Sequence, residues 1–235
     1  MKIALLGYGK MGKEIEKIAL LRGHSVVIKA DIDSIYDIKE ADVAIDFSVP
    51  AAAFNNISNC LKNKVPVVSG TTGWLKDYDR AIELSKENKG AFIYDSNFSL
   101  GVNIFFELNK TLAKLMEQLK QYKVCIEEIH HTQKLDAPSG TAITLAQGII
   151  ENSDFKKWKL IEEKPSASEL PITAKRIENV PGTHTVIYES DVDTIQIQHT
   201  AHSRQGFALG AVIAAEWLLN RTGVFTMKDV LNINE

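Results

Sequence analysis

Along the first hundred residues, short apolar runs alternate with amphipathic stretches. Lys2-Ile3-Ala4-Leu5-Leu6 runs into Gly7, and Met11, Ile15, Ile18, Ala19 and Arg22 then recur at helical spacing up to Gly23. This predicts a strand, a glycine turn and a helix. Further apolar runs at 25–30, 43–47, 65–69 and 91–94 are each bounded by polar or glycine residues, as strands buried on both faces are. Helical patterns at 51–61, behind Pro50, and at 75–88 separate them, whereas 31–42 is too short and too polar for a full helix. The periodicity therefore predicts βαβ units of an open α/β sheet.

Beyond residue 100 the pattern changes. Ile104, Phe105, Leu108, Leu112, Leu115, Met116 and Leu119 form one helical stripe, followed by a strand at 122–129, a polar stretch to Pro138 and a helix from 141 to about 151. A second domain is expected here. Residues 152–172, with mixed charges, two prolines and no clean period, read as a surface excursion. Residues 184–189 and 194–200, the latter with Ile195, Ile197 and His199 alternating, predict an antiparallel pair around 190–193. The Ala-rich stretch 207–219 predicts a helix packed back on the first sheet. The expected division is residues 1–98 with 205–235 as a dinucleotide-binding domain and 99–204 as a substrate-binding domain.

Composition removes several function classes. The 235 residues are 45% apolar, with 30 acidic against 27 basic side chains, a net charge of −3 and no basic stripe for a nucleic-acid backbone. No apolar run reaches the roughly 18 residues of a membrane-spanning helix, and Met1-Lys2 leads directly into the first strand. A soluble cytoplasmic protein is expected. Cys60 and Cys125, far apart and in apolar surroundings, read as small buried hydrophobes.

Gly7-Tyr8-Gly9-Lys10-Met11-Gly12 follows a strand and opens a helix, the context that gives a glycine pattern meaning. Its glycines permit a tight turn and close approach of a pyrophosphate to the free N–H groups of the helix start. Asp31, 19 residues beyond Gly12 at the end of the second strand, is placed to accept from a ribose diol. Lys29 nearby could instead meet a 2′-phosphate, and the alternative to all of this is a tight turn without a nucleotide. Asp46-Phe47-Ser48 and Gly70-Thr71-Thr72-Gly73 leave strand ends on the same side and should border the cofactor, the second where a nicotinamide would lie. Asp46 alone also suits a helix cap before Pro50.

The densest polar cluster, residues 127–141, holds Glu127, Glu128, His130, His131, Lys134, Asp136, Ser139, Gly140 and Thr141 between a strand and a helix. Paired histidines with a lysine close behind suggest proton transfer or an anionic substrate. A solvated loop and a metal site are the rival readings, the latter without a His-Glu-x-x-His spacing or a nearby cysteine. Ser139-Gly140-Thr141 at a helix start forms a candidate carboxylate or phosphate cradle.

The run His130-His131-x-x-Lys134-x-Asp136-Ala137-Pro138-Ser139-Gly140-Thr141-Ala142 resembles the signature of the 4-hydroxy-tetrahydrodipicolinate (dihydrodipicolinate) reductase family. The likeness extends through Gly7–Gly12, Asp46-Phe47-Ser48, Gly70–Gly73, residues 97–103, Gly182-x-His184 and residues 199–211. It implies a Rossmann-like parallel-sheet dinucleotide-binding domain plus a smaller α+β substrate and oligomerisation domain with a mixed sheet, assembled as a homotetramer. It further implies reduction of a cyclic imine dicarboxylate by NADH or NADPH, with loss of water. By position, His130 and Lys134 would be the catalytic pair, while His131, Ser139, Gly140 and Thr141 would hold substrate. Gly70–Gly73 with Ser96, Asn97 and Phe98 would line the nicotinamide. The chain departs from the family pattern at Glu178, where glycine is usual, and at Asp95, where a small residue precedes Asn97; the stretch from Gly12 to Asp46 is also short.

Chemistry agrees with that implication. Hydride addition to the ring leaves a nitrogen-conjugated anion that must gain a proton, so a cationic acid is needed, with Lys134 the first choice and His130 sharing the role or stabilising charge. Arg204 reads either as a further partner for a substrate carboxylate or as a structural ion-pair residue. Two competing functions are an NAD(H)-sensing module without turnover and a homoserine-type dehydrogenase. Neither calls for a histidine–lysine pair beside an anion cradle.

Overall fold

A computed structural model describes residues 1–31, 34–161 and 165–233. The chain forms two compact units, one of Met1–Asn103 with Arg204–Glu235 and one of Ile104–Ser203. In chain order the first unit contains β1 (Lys2–Leu6), α1 (Lys10–Leu21), β2 (Ser25–Ala30), β3 (Val43–Asp46), α2 (Pro50–Lys62), β4 (Val67–Ser69), α3 (Tyr78–Asn88) and β5 (Ala91–Tyr94). Helix α4 (Leu100–Met116) leads into the second unit, which holds β6 (Lys123–His130), α5 (Gly140–Ile150), β7 (Lys157–Leu160), β8 (Glu169–Arg176), β9 (Gly182–Glu189) and β10 (Thr194–Ala201). The chain then returns to the first unit with α6 (Gln205–Leu218), β11 (Gly223–Phe225) and α7 (Met227–Val230).

The first unit is a parallel sheet in the order β11-β5-β4-β3-β1-β2. Its inner strands β1, β3, β4 and β5 are apolar because both of their faces are covered, whereas the edge strand β2 leaves Ser25, Val27 and Lys29 exposed. Ile15, Ala19, Ala208, Ala211 and Ala215 of α1 and α6 pack on one side, and Ala53, Ile57, Leu61 and Ala81 of α2 and α3 on the other. The alanines of α6 let that helix lie close to the sheet, as its composition predicts. Order reverses at β1, whose neighbours are β2 and β3, so the crevice for a ligand opens beyond the carboxyl ends of β1 and β3.

The second unit is a mixed sheet in the order β10-β9-β6-β8-β7, with β6, β8 and β7 mutually parallel and β9 and β10 antiparallel. Phe105, Leu145 and Ile149 of α4 and α5 cover Ile126, Ile172 and Val186 of the sheet. Residues 152–172 are not a plain surface excursion. They contain β7 and the start of β8, whose Leu170 and Ile172 are fully buried. Lysines and a proline at alternate positions mask the apolar period, as in Lys157-Trp158-Lys159-Leu160 of the edge strand β7 and Leu170-Pro171-Ile172 of its inner neighbour β8. Glu162, Glu163 and Lys164 of that stretch, and Ile32 and Asp33 of the region read as non-helical, lie outside the described residues. Cys60 is buried as expected; Cys125 is only partly covered, because it faces away from Val124 and Ile126 on β6.

Candidate active site

In the first unit, the turn from β1 to α1 meets the loops after β3 and β4. Gly7 has φ +96°, and any side chain there would overlap the Phe47 carbonyl, which fixes glycine at the turn. Gly12 is buried, Met11 half-buried against the core and Lys10 exposed. Gly9 precedes helix α1 and offers no side-chain cap, and a methyl group built on it would meet open space. Uncapped N–H groups facing an open approach suit a phosphate. A cavity of about 310 Å³ lies beside them, lined in part by Gly7, Gly9, Asp31, Ser34, Phe47 and Ser48. The residues thus fit a dinucleotide.

Asp31 Oδ1 accepts the Tyr8 N–H at 3.1 Å, which anchors the turn and leaves the carboxylate on the cavity wall. Lys29 is not idle. Its Nζ is 2.5 Å from Glu16 and 5.2 Å from the Tyr8 ring centre, and the Tyr8 hydroxyl donates to the same Glu16 carboxylate.

Asp46 is no helix cap: Val49 precedes α2 without a side-chain cap, and the Asp46 carboxylate is fully buried. It accepts from Asn56 at 2.8 Å, Ser69 at 2.9 Å and Thr71 at 2.8 Å. Burial pushes this carboxyl above the usual range, against the pull of those hydrogen bonds. The Thr71 hydroxyl also accepts the Ser48 N–H at 2.8 Å, so Thr71 braces two loops while Thr72 and Gly73 are exposed. A side chain at Gly70 would overlap the Phe47 ring, which stacks edge-on with buried Phe98 at 5.7 Å. Asp95 accepts the N–H groups of Asn97, 3.0 Å, and Met227, 3.3 Å. This unusual aspartate therefore shapes the turn of exposed Ser96 and half-buried Asn97.

In the second unit, β6 ends at His130 and α5 begins at Gly140, and the loop between them carries the polar cluster. The Lys134 ammonium is held by both oxygens of Asp136, at 2.9 and 2.7 Å. His131 is half-buried, and its Nδ1 has no hydrogen-bond partner. Ser139 is 3% exposed and fully engaged: its N–H goes to Glu128 at 3.0 Å, and its hydroxyl meets His184 Nε2 at 3.0 Å and the Ala142 N–H at 3.2 Å. Gly140 and Thr141 are the parts of the predicted cradle that open outward, and a methyl group on Gly140 would meet open space.

His130 sits on a buried cluster with Glu128, His184 and Arg176. Its ring lies 5.0 Å from that of His184 and its Nδ1 3.6 Å from Glu128. Burial, reinforced by the charges of His184, Lys134 and Arg176, pushes His130 down to about 4 despite Glu128. It is therefore neutral near pH 7. Burial alone would raise Glu128, but the neighbouring His184 and Ser139, whose N–H it accepts at 3.0 Å, outweigh it and hold that carboxyl at about 2. Sequence reasoning left Arg176 and His184 without roles, since each comes from another strand and only pairing of β8 and β9 with β6 brings them in. Glu128, His130 and His184 are metal-ligand types with donor atoms within 4.8 Å of one another. Yet one Glu128 oxygen takes the Ser139 N–H and the other faces Arg176 at 3.3 Å, so the cluster already has its cation. Arg204 is exposed and forms no ion pair among the described residues.

Two family models match the chain: dihydrodipicolinate reductase, N-terminus, over residues 19–98, and dihydrodipicolinate reductase, C-terminus, over residues 101–231. A 4-hydroxy-tetrahydrodipicolinate reductase from Christiangramia forsetii is 63% identical over 236 residues, covering 99% of this chain and 98% of its own. A protein of the same name from Methanosarcina acetivorans is 35% identical, over 98% of this chain and 89% of its own. Among solved structures, a dipicolinate-bound dihydrodipicolinate reductase from a Paenisporosarcina species matches 100% of this chain and 99% of its own, with TM-score 0.77 and 24% identity.

Proposed function

The chain belongs to the dihydrodipicolinate reductase family, and on that premise we propose how its residues reduce 4-hydroxy-tetrahydrodipicolinate to tetrahydrodipicolinate with loss of water. The N–H groups at the start of α1 would hold the pyrophosphate of a nicotinamide cofactor, Asp31 its adenosine ribose, and the 70–73 and 96–98 loops its nicotinamide. When bound, that group supplies a hydride. The cofactor of choice is NADH, because Asp31 suits a free diol and Lys29 is already taken by Glu16.

The remaining work falls to the β6–α5 loop. Gly140 and Thr141 present N–H groups at the positive end of α5, and Thr141 its hydroxyl, to one substrate carboxylate, and half-buried His131 meets the other. Lys134 donates the proton that the reduced ring must gain, and Asp136 holds its ammonium in place. The observation that carries this reading is the geometry of the motif: both Asp136 oxygens hold the Lys134 ammonium in the same loop that ends at the open Gly140–Thr141 start of α5, while burial keeps the His130 imidazole neutral beside it. His130 then contributes a neutral imidazole beside the reacting ring. Oxidation of NADH or NADPH with enzymatically generated substrate tests the proposal, and absence of turnover with both would remove it.

No helix among the described residues is long and apolar enough to cross a membrane, and a cytoplasmic location goes with this biosynthetic chemistry. A homotetramer through the second unit accords with β10, an eight-residue edge strand that is exposed along most of its length and carries Ile195 at 37% exposure. Light scattering across a dilution series would read a single mass of one chain if that assembly were absent.

A further inference from the structure

We propose that Glu128 is a positioning residue for the reaction: one buried carboxylate, clamped by Arg176, fixes the whole β6–α5 loop and with it both the proton donor and the carboxylate cradle. The inference rests on reading that loop as the substrate site.

Glu128 is fully buried two residues before His130, where a charge has no reason to be unless it is used. One of its oxygens accepts the N–H of Ser139, the residue that caps α5, and lies 3.6 Å from both His130 Nδ1 and His184 Nε2. The other faces Arg176 Nη1 and Nη2 at 3.4 and 3.3 Å. Arg176 spends its remaining donors on the loop itself, on the Asp136 carbonyl at 2.7 Å and the Lys134 carbonyl at 3.3 Å, besides its neighbour Lys175 at 2.9 Å. A single charge pair thus holds the chain beside residues 130, 134, 136 and 139. Those positions enclose His131 and Lys134 and end at the residue that leads directly into Gly140 and Thr141. The Ser139 N–H and the guanidinium are fixed donors, and a carboxylate accepts at both oxygens. The isosteric amide cannot. Glutamine would turn its NH2 against either the Ser139 N–H or the guanidinium, and one end of the loop would be released. Lysine at 176 keeps the charge but lacks the fork that reaches the carboxylate and two carbonyls together.

Three variants test this: Glu128→Gln, Arg176→Lys, and the double replacement Glu128→Gln with Arg176→Met, which removes both charges while keeping bulk. Measured for each are Tm, kcat, inhibition by pyridine-2,6-dicarboxylate, and NADH affinity by fluorescence titration. Arg176 is partly exposed, so the lysine variant should stay folded with kcat lowered on the order of 10²-fold, inhibition weakened, and NADH affinity unchanged. The double variant should recover Tm relative to Glu128→Gln without recovering kcat or inhibition. The proposal is overturned if kcat and inhibition return together with Tm, or if Arg176→Lys keeps wild-type values of both. Should the unaltered protein fail to turn over substrate while inhibitor binding still falls in Arg176→Lys, the positioning role stands and the assigned reaction does not.

Discussion

Replacing His130 by glutamine probes the charge state on which the division of labour at the site depends. A histidine with a folded pKa below its unfolded value carries fewer protons in the native state. Its contribution is therefore intact above about 6.5 and is lost as pH falls through the window toward about 4. The two values differ by roughly 2.5 units, about 3 kcal/mol in full, and about 2 kcal/mol of that is lost between pH 7 and pH 5. His130 is 7% exposed, so solvent screening takes little from this figure. Glu128 acts in a lower window: its contribution is present above about 4.5 and disappears only as pH drops toward about 2. His199 is also lowered by burial and adds to the same acid slope, so the quantity to compare is the difference between wild type and variant. Urea unfolding at pH 7 and pH 5 should show the wild type losing about 2 kcal/mol more than His130→Gln over that interval. Equal losses in the two proteins would mean that His130 titrates as a solvated histidine. It would then be a candidate proton donor near neutral pH, and the preference for Lys134 would lose its basis.

Three further outcomes follow from the site. Lys134→Ala should lower kcat by about 10²–10⁴-fold with NADH affinity intact, and near wild-type turnover would end its assignment as the acid. Thr141→Val should weaken inhibition by pyridine-2,6-dicarboxylate by about 1.5–3 kcal/mol, the worth of a hydrogen bond to a charged group, while leaving NADH affinity unmoved. Unchanged inhibition would place the carboxylate elsewhere. Glu16→Gln should free Lys29 and raise NADPH affinity relative to NADH, and Asp31→Ala should move the ratio the same way; a ratio fixed in both variants, by direct titration, would remove these residues from cofactor choice.

What the sequence determined by itself is whatever local periodicity and local turn chemistry record. β1, β3, β5 and the flanking helices of the first unit announce themselves as apolar runs between helical stripes, because a strand covered on both faces needs only to be apolar. The Gly7–Gly12 turn and the histidine–lysine loop are contiguous, so both stand out as motifs. β7, β8 and β11 do not: β7 and β11 are short edge strands and β8 is interrupted by Pro171, so their lysines, proline and partners make sense only once neighbouring strands are in position. Side-chain commitments are the other matter that tertiary structure decided. Lys29 looks available for a phosphate until Glu16 from α1 is found against it, and Thr71 looks like a ligand until Asp46 takes its hydroxyl. Ser139 likewise turns inward to Glu128 and His184, leaving the open end of the cradle to Gly140 and Thr141. Arg176 and His184 join Glu128 and His130 from residues about fifty positions away, through strand pairing that no local signal encodes. Hydrogen bonds and charge pairs saturate, so which polar groups remain for a ligand is decided by what the fold has already brought within reach of them.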